Sequence, residues 1–291
     1  MELKFDKNRK RVKHCPCCGH ENKSGGYVPF IGTDNGYCNY CNSTCMKDKN
    51  DTIVPLNEIP RYTPKPVDYM SEYYIEKSFT DHENIDFVKF LLKIFDPLAV
   101  EEIIEKYNLC GSVKRPGDVI FWQIDKYDKI RTGKIMQYDP ETGKRSGYIN
   151  WVHDESYGLK QCFFGENLIT KGKTIAVVES EKTACIMSYI IPNRTWIASG
   201  GSNGLTRQKC EVLKDHEIIL FPDHGKFREW SDRASEIGLK CQTSIDCEEW
   251  FELGLIDKGD DIADYYLKNH DLKPKKICPE WDSEEYHKIF D

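Results

Sequence analysis

Two short apolar runs, each closed by a carboxylate, constrain this chain more than any other feature. Thr174 to Glu181 reads TIAVVESE, and Glu217 to Asp223 reads EIILFPD. Both are rich in β-branched residues and too short for a core helix, so they predict buried strands of a parallel sheet. Open parallel sheets bind ligands outside the carboxyl ends of their strands. Glu179 and Asp223 are therefore expected to project into one crevice, with the acidic stretch GDDIAD (Gly259 to Asp264) within reach of the same edge. Carboxylates gathered there repel one another unless a cation lies between them. Hard oxygen donors suit Mg²⁺, which keeps several waters and shares its shell with substrate phosphates. That pairing points to phosphoryl-transfer chemistry. Taken singly, any of these acids has a simpler role as a helix cap.

From Gly172 to Asn269 the pattern alternates. Strand Thr174 to Val178 leads into helix Glu181 to Ile191, with Ser180 as N-cap. Strand Thr195 to Ser199 stops at Gly200 and Gly201, and helix Leu205 to Leu213, strand Glu217 to Phe221 and helix Phe227 to Ile237 follow. A short strand, Lys240 to Thr243, and a helix from Asp261 to Leu267 close the series. Such alternation indicates a parallel, right-handed α/β sheet.

The motifs VVESEKTACIMSY, FPDHGKF and KGDDIADYYL together resemble the Toprim domain of bacterial primases, topoisomerases and related nucleases. The nearest likeness is to small zinc-ribbon-plus-Toprim proteins of bacterial mobile elements and phages. It spans the cysteine-rich N-terminus, the Toprim part and, more loosely, the segment between them. The resemblance implies a Rossmann-like parallel sheet in which Glu179 and Asp223, with Asp260, Asp261 and Asp264, hold catalytic Mg²⁺ or Mn²⁺. One departure stands out. The usual second motif is Asp-x-Asp, and here it reads Asp223, His224, Gly225, which leaves Asp260, Asp261 or Asp264 to supply the missing carboxylate. His224 reads as a turn residue, with a ligand or acid–base role as the alternative.

Thirteen cysteines, six of them at positions 15, 17, 18, 38, 41 and 45, predict a second metal. Clustered thiols in a cytosolic chain point to metal rather than disulfides. Cys15-x-x-Cys18 and Cys38-x-x-Cys41 stand nineteen residues apart, the spacing of two facing zinc knuckles. Four thiolates closing a tetrahedron around Zn²⁺ make a structural site. Cys45 is an alternative to Cys41, and Cys17, His14 and His20 are close enough to compete. YVPFIG (Tyr27 to Gly32) is expected to form the ribbon's hairpin. Tyr27, Phe30, Tyr37 and Tyr40 serve either as base-stacking platforms or as the ribbon's small core. The remaining seven cysteines, Cys110 to Cys278, read as small core hydrophobes.

The resulting division is a zinc ribbon over residues 1–50, a linker over 51–67, a mixed middle segment over 68–171, a Toprim unit over 172–270 and an acidic tail over 271–291. Pro55, Pro60, Pro64 and Pro66 keep the linker extended. In the middle segment Ile85 to Phe95 and Pro97 to Tyr107 carry helical spacing. Asp118 to Asp125 and Arg131 to Arg145 read as strands joined by turns at Asp128 and at Pro140 to Gly143. Arg131, Lys134, Lys144 and Arg145 make this region locally basic. In the primases it resembles, the segment ahead of Toprim contributes basic residues to the template and nucleotide groove. Polar alternation on a solvent-facing sheet would look the same. Trp122, Tyr138, Tyr148 and Trp151 are expected in the core, and Lys182 either meets phosphate from a helix N-terminus or is a solvated helix residue.

Charged residues make up 31% of the chain and its mean hydropathy is −0.62, which predicts a soluble, cytoplasmic protein with no membrane partner. The N-terminus is basic and lacks the apolar segment of a secretory signal. A net charge of −7 argues against wholesale non-specific DNA binding. Through the resemblance, the expected activity is that of a primase-like nucleotidyltransferase working on single-stranded DNA and nucleoside triphosphates in replication of a mobile element or phage. Glu179 would be its general base. With no GxxxxGK[ST] loop, any replicative helicase is expected to be a separate chain. A non-catalytic nucleic-acid-binding module, favoured by Gly225, and a Toprim nuclease are the alternatives.

Overall fold

The computed structural model describes residues 4–23, 25–41, 43–45, 67–79, 82–154 and 157–270. The chain divides into two compact units, Met1–Lys65 and Pro66–Asp291. The linker prolines and the acidic tail lie outside the described residues.

In the first unit, β1 (Tyr27–Pro29), β2 (Gly36–Cys38) and β3 (Ser43–Cys45) form an antiparallel sheet in the order β1-β2-β3. The hairpin foreseen in YVPFIG therefore pairs Tyr27 with Cys38, and the turn extends beyond Gly32. Gly36 is required there, because a Cβ would stand 2.3 Å from the Val28 carbonyl oxygen. Buried Asn22 splices the loops. Its amide donates to the carbonyls of Val12 (3.0 Å) and Tyr27 (2.9 Å), and its oxygen accepts from Tyr27 N (2.8 Å). Tyr27 and Phe30 are buried, Phe30 stacking on Phe5, so both belong to the ribbon's small core.

The second unit contains two four-stranded sheets. Helices α1 (Tyr73–Ser78), α2 (Asp86–Ile94) and α3 (Pro97–Tyr107) precede an antiparallel sheet of β4 (Cys110–Gly111), β5 (Val119–Ile124), β6 (Ile130–Tyr138) and β7 (Arg145–Trp151). β5 is buried at every position because both its faces are covered. Val119 and Phe121 join the cluster that includes α2, α3 and the parallel sheet, while Ile120, Trp122 and Ile124 join a second cluster on the opposite face. Tyr107 fastens the two halves by donating its hydroxyl to the Trp196 carbonyl, 2.9 Å away. Trp122 and Tyr138 are core residues, as expected. Tyr148 and Trp151 are only half-buried, since β7 is an edge strand with a single neighbour.

The parallel sheet follows: β8 (Ile175–Val178), α4 (Glu181–Ile190), β9 (Thr195–Ala198), β10 (Ile218–Phe221), α5 (Phe227–Ile237), β11 (Gln242–Thr243), α6 (Asp246–Glu252) and α7 (Ile262–Asn269). Its order is β11-β10-β8-β9. The expected fold class is thus found: cysteine ribbon, mixed middle segment and C-terminal parallel sheet. Leu205–Leu213 is corrected to a short 3₁₀ turn at Lys209–Leu213, where Lys209 points inward and ties its ammonium to the Ser199 carbonyl. Among the described residues, no helix is long and apolar enough to cross a membrane.

Candidate active site and cysteine cluster

Strand order places the crevice. The chain leaves β8 toward β9 on one side and leaves β10 toward β11 on the other, so the connections diverge between two neighbouring strands. Such a switch point opens a cleft at the strands' carboxyl ends. β8 and β10 are in register, Val178 opposite Phe221, which puts Glu179 and Asp223 on either side of that cleft.

The electrostatics show which carboxylates face one another. Burial, then the charges of Asp261, Glu179 and Asp264, push the Asp223 carboxyl up to about 8, with Lys182 opposing. Burial also raises Glu179, against the pull of Lys226 and Arg145. Glu179 Oε2 is buried with no hydrogen-bond partner. An orphaned carboxylate oxygen beside a carboxyl whose proton is favoured by burial and by like charges is a hard-donor set short of positive charge. It fits a divalent cation such as Mg²⁺.

The three later acids behave differently. Asp261 caps α7: its side chain accepts from Asp264 N (3.0 Å) while Asp264 accepts from Asp261 N (3.1 Å), a reciprocal capping box. The other Asp261 oxygen accepts from the Thr183 hydroxyl. Asp264 also faces the Lys182 ammonium at 3.5 Å. Asp260 accepts from Asp257 N (2.8 Å) and from Lys268 (2.5 Å). His224 is a turn brace, its Nδ1 accepting from Gly259 N (3.2 Å) and its ring stacked on Phe251 at 4.0 Å. Gly225 N donates to Glu248 Oε1 at 2.8 Å.

Of the five basic residues singled out in the sequence, Lys144 and Arg145 are exposed, and Arg145, at the start of β7, lowers the Glu179 pKa by its charge. Lys182 sits among the acids. Lys134 and Arg131 are placed in buried ion pairs rather than on a basic surface, because β6 is covered on both faces. Lys134 Nζ bonds both Glu181 oxygens (3.0 and 3.1 Å) and the Gly200 carbonyl (3.1 Å). Arg131 bonds Asp125 (2.8 Å) and covers the Tyr69 ring at 4.6 Å. Sequence reasoning passed over Glu181 and Lys209. Lys209 donates to the Ser199 carbonyl at 2.8 Å, so two buried ammoniums pin the turn that runs into Gly200 (φ +82°) and Gly201 (φ +145°). The second acid of VVESE was the available signal for Glu181.

In the ribbon, the sulfurs of Cys15, Cys18, Cys38 and Cys41 all lie within 4.8 Å of one another. Cys18–Cys38 is 3.8 Å and Cys15–Cys41 is 4.0 Å. A tetrahedron with Zn–S bonds of about 2.3 Å spaces its sulfurs roughly 3.8 Å apart, so this set fits Zn²⁺. Cys45 lies 3.4 Å from Cys15 but is bonded to Cys17, which leaves Cys41 in the set and makes one disulfide where only thiols were expected. His14 and His20 stay outside it, His20 stacked on Tyr40 at 4.0 Å.

These features define a class: a four-thiol ribbon in one unit and, in the other, a carboxylate crevice at the switch point of a parallel sheet. The family described as a domain of unknown function (DUF6371) matches residues 85–224. No curated protein matches the chain. Among solved structures, the primase fragment of the bacteriophage T7 primase-helicase protein is similar at 14% identity and a TM-score of 0.43, over 89% of this chain and 95% of that one. The RNA polymerase domain of Mycobacterium tuberculosis primase DnaG is similar at 12% identity and a TM-score of 0.44, over 69% and 78%. The zinc-binding and RNA polymerase domains of Aquifex aeolicus primase follow at 14% and 0.38, over 75% and 54%.

Proposed function

We propose that the chain is a primase-like nucleotidyltransferase that joins nucleoside triphosphates on a single-stranded DNA template. The observation that carries this reading is the Glu179/Asp223 pair at the switch point, with one oxygen orphaned and the neighbouring carboxyl raised to about 8. Mg²⁺ or Mn²⁺ bound there would supply Lewis-acid stabilisation of phosphoryl oxygens. Asp223 in its deprotonated form would hold the ion together with Glu179, and Glu179, raised in basicity by burial, would take the proton of the attacking 3′-hydroxyl. Arg145, exposed beside Glu179, meets the phosphate chain. Lys134 and Lys209 hold the Ser199–Gly200 carbonyls so that the turn beside Glu179 keeps its shape. Cys15, Cys18, Cys38 and Cys41 would hold Zn²⁺, which would make the ribbon a rigid template-engaging module. The reading places the protein in the cytoplasm, in replication of a mobile element or phage, with any helicase a separate chain.

The engagement of Asp260 by Lys268 and the absence of a side chain at Gly225 favour a second reading, a binding module without chemistry. Labelled nucleotide incorporation on single-stranded DNA with Mg²⁺ or Mn²⁺ separates the two. Wild-type protein is expected to make short primers, and Glu179→Gln and Asp223→Asn are expected to make none. DNA bound equally by all three proteins without any product would leave only the binding module, and shortened template would indicate a nuclease.

A further inference from the structure

We infer that the crevice is built for a single divalent cation on Glu179 and Asp223, with the Lys182 ammonium taking the place of a second ion. The inference rests on the reading of the crevice as a metal site. Two-metal sites need carboxylates that can reach ions about 3.5–4 Å apart, and here each acid available for the second ion is otherwise engaged. Asp260 takes the Asp257 amide and the Lys268 ammonium on one oxygen, Oδ2, and Lys268 matches its charge. Asp261 gives one oxygen to the Asp264 amide and the other to Thr183. Asp264 gives one oxygen to the Asp261 amide and the other to Lys182. At the position where a second carboxylate is expected, Gly225 has no side chain, a φ of +84° and nothing within 4 Å of where a Cβ would stand. Glu248, which does reach this turn, accepts from the amides of Gly225 (2.8 Å) and Phe227 (3.4 Å).

Lys182 itself is positioned as a resident cation. Its side chain is 16% exposed, on the first turn of α4, next to the Thr183 that holds Asp261. Lys182 balances Asp264, and Asp261 has both oxygens filled by donors. The remaining formal charge, that of Glu179, Asp223 and Asp261, is three; one divalent ion brings it to −1, and a second would carry the crevice to +1. A second ion would have to settle beside an ammonium. Like charges held that close inside a protein repel far more strongly than in water.

The test is Mn²⁺ binding to the full, zinc-loaded chain, followed by equilibrium dialysis and electron paramagnetic resonance. The wild type is expected to take one Mn²⁺ above its zinc, with the hyperfine-resolved spectrum of an isolated ion. Lys182→Met is expected to take a second at least about tenfold more tightly than the wild type does, with spin coupling between the two. Two coupled ions in the wild type would overturn the inference while leaving the metal-site reading intact, and so would a Lys182→Met protein that still takes one. No Mn²⁺ in the wild type would overturn both. Should Lys182→Met fail to fold, the wild-type count decides alone, with Asp223→Asn expected to lose the single ion.

Discussion

At Asp223, a carboxyl whose ordinary value is 3.8 is lifted to about 8 by burial and by the charges of Asp261, Glu179 and Asp264. Between those values the folded state keeps a proton that the unfolded state has lost. The contribution of this group is therefore fully present below pH 3.8 and is lost as pH rises through about 8. Metal-free protein is expected to lose stability between pH 5 and pH 9, and Asp223→Asn to flatten that decline. Urea unfolding at both pH values checks it; equal losses in the two proteins would contradict the account. Mg²⁺ should restore more stability at pH 9 than at pH 5, since it competes with the proton. The acids at Glu179 and Asp223 could be read from the sequence because each ends an apolar run. The roles of Asp260, Asp261 and Asp264 could not, because three near-adjacent aspartates look alike until a helix cap, a lysine and a hydroxyl sort them.

Among the elements, β6 and α4 are joined by the buried Lys134–Glu181 pair, whose side chains are 6% and 2% exposed. Breaking one side of such a pair leaves an uncompensated charge and costs about 3–5 kcal/mol, whereas replacing both partners by apolar groups can be neutral. Lys134→Met should lower the free energy of unfolding by that amount, and the double variant Lys134→Met/Glu181→Leu should recover most of it. A Lys134→Met protein as stable as the wild type would return Lys134 to the role of a surface nucleotide contact. Long amphipathic helices such as α2 and α5 were legible from their spacing. α1 buries no residue and α6 buries only Cys247, so neither carries an apolar stripe to betray it.

For the molecule as a whole, the two units depend on different forces. The larger one has extensive apolar clusters, whereas the ribbon's buried cluster is Val12, Cys15, Tyr27, Cys38 and Cys45. A core so small needs a metal to hold it. Chelation of zinc is expected to expose the Met1–Lys65 unit to limited proteolysis while the Pro66–Asp291 unit survives with an unchanged melting temperature. Survival of an intact ribbon after zinc loss would show that its strands and the Cys17–Cys45 bond suffice. By itself the sequence determined the paired CxxC knuckles, the strands ending in Glu179 and Asp223, and the alternation that makes the sheet parallel. These are local patterns whose spacing follows from coordination and strand geometry. Only the tertiary structure decided that Lys134 is a buried lock, that Lys182 stands among the acids and that Asp261 is a cap. Lys134 and Glu181 lie 47 residues apart, and Thr183 and Asp261 lie 78 apart. Partnerships over such separations arise when sheets and helices pack, and no local periodicity records them.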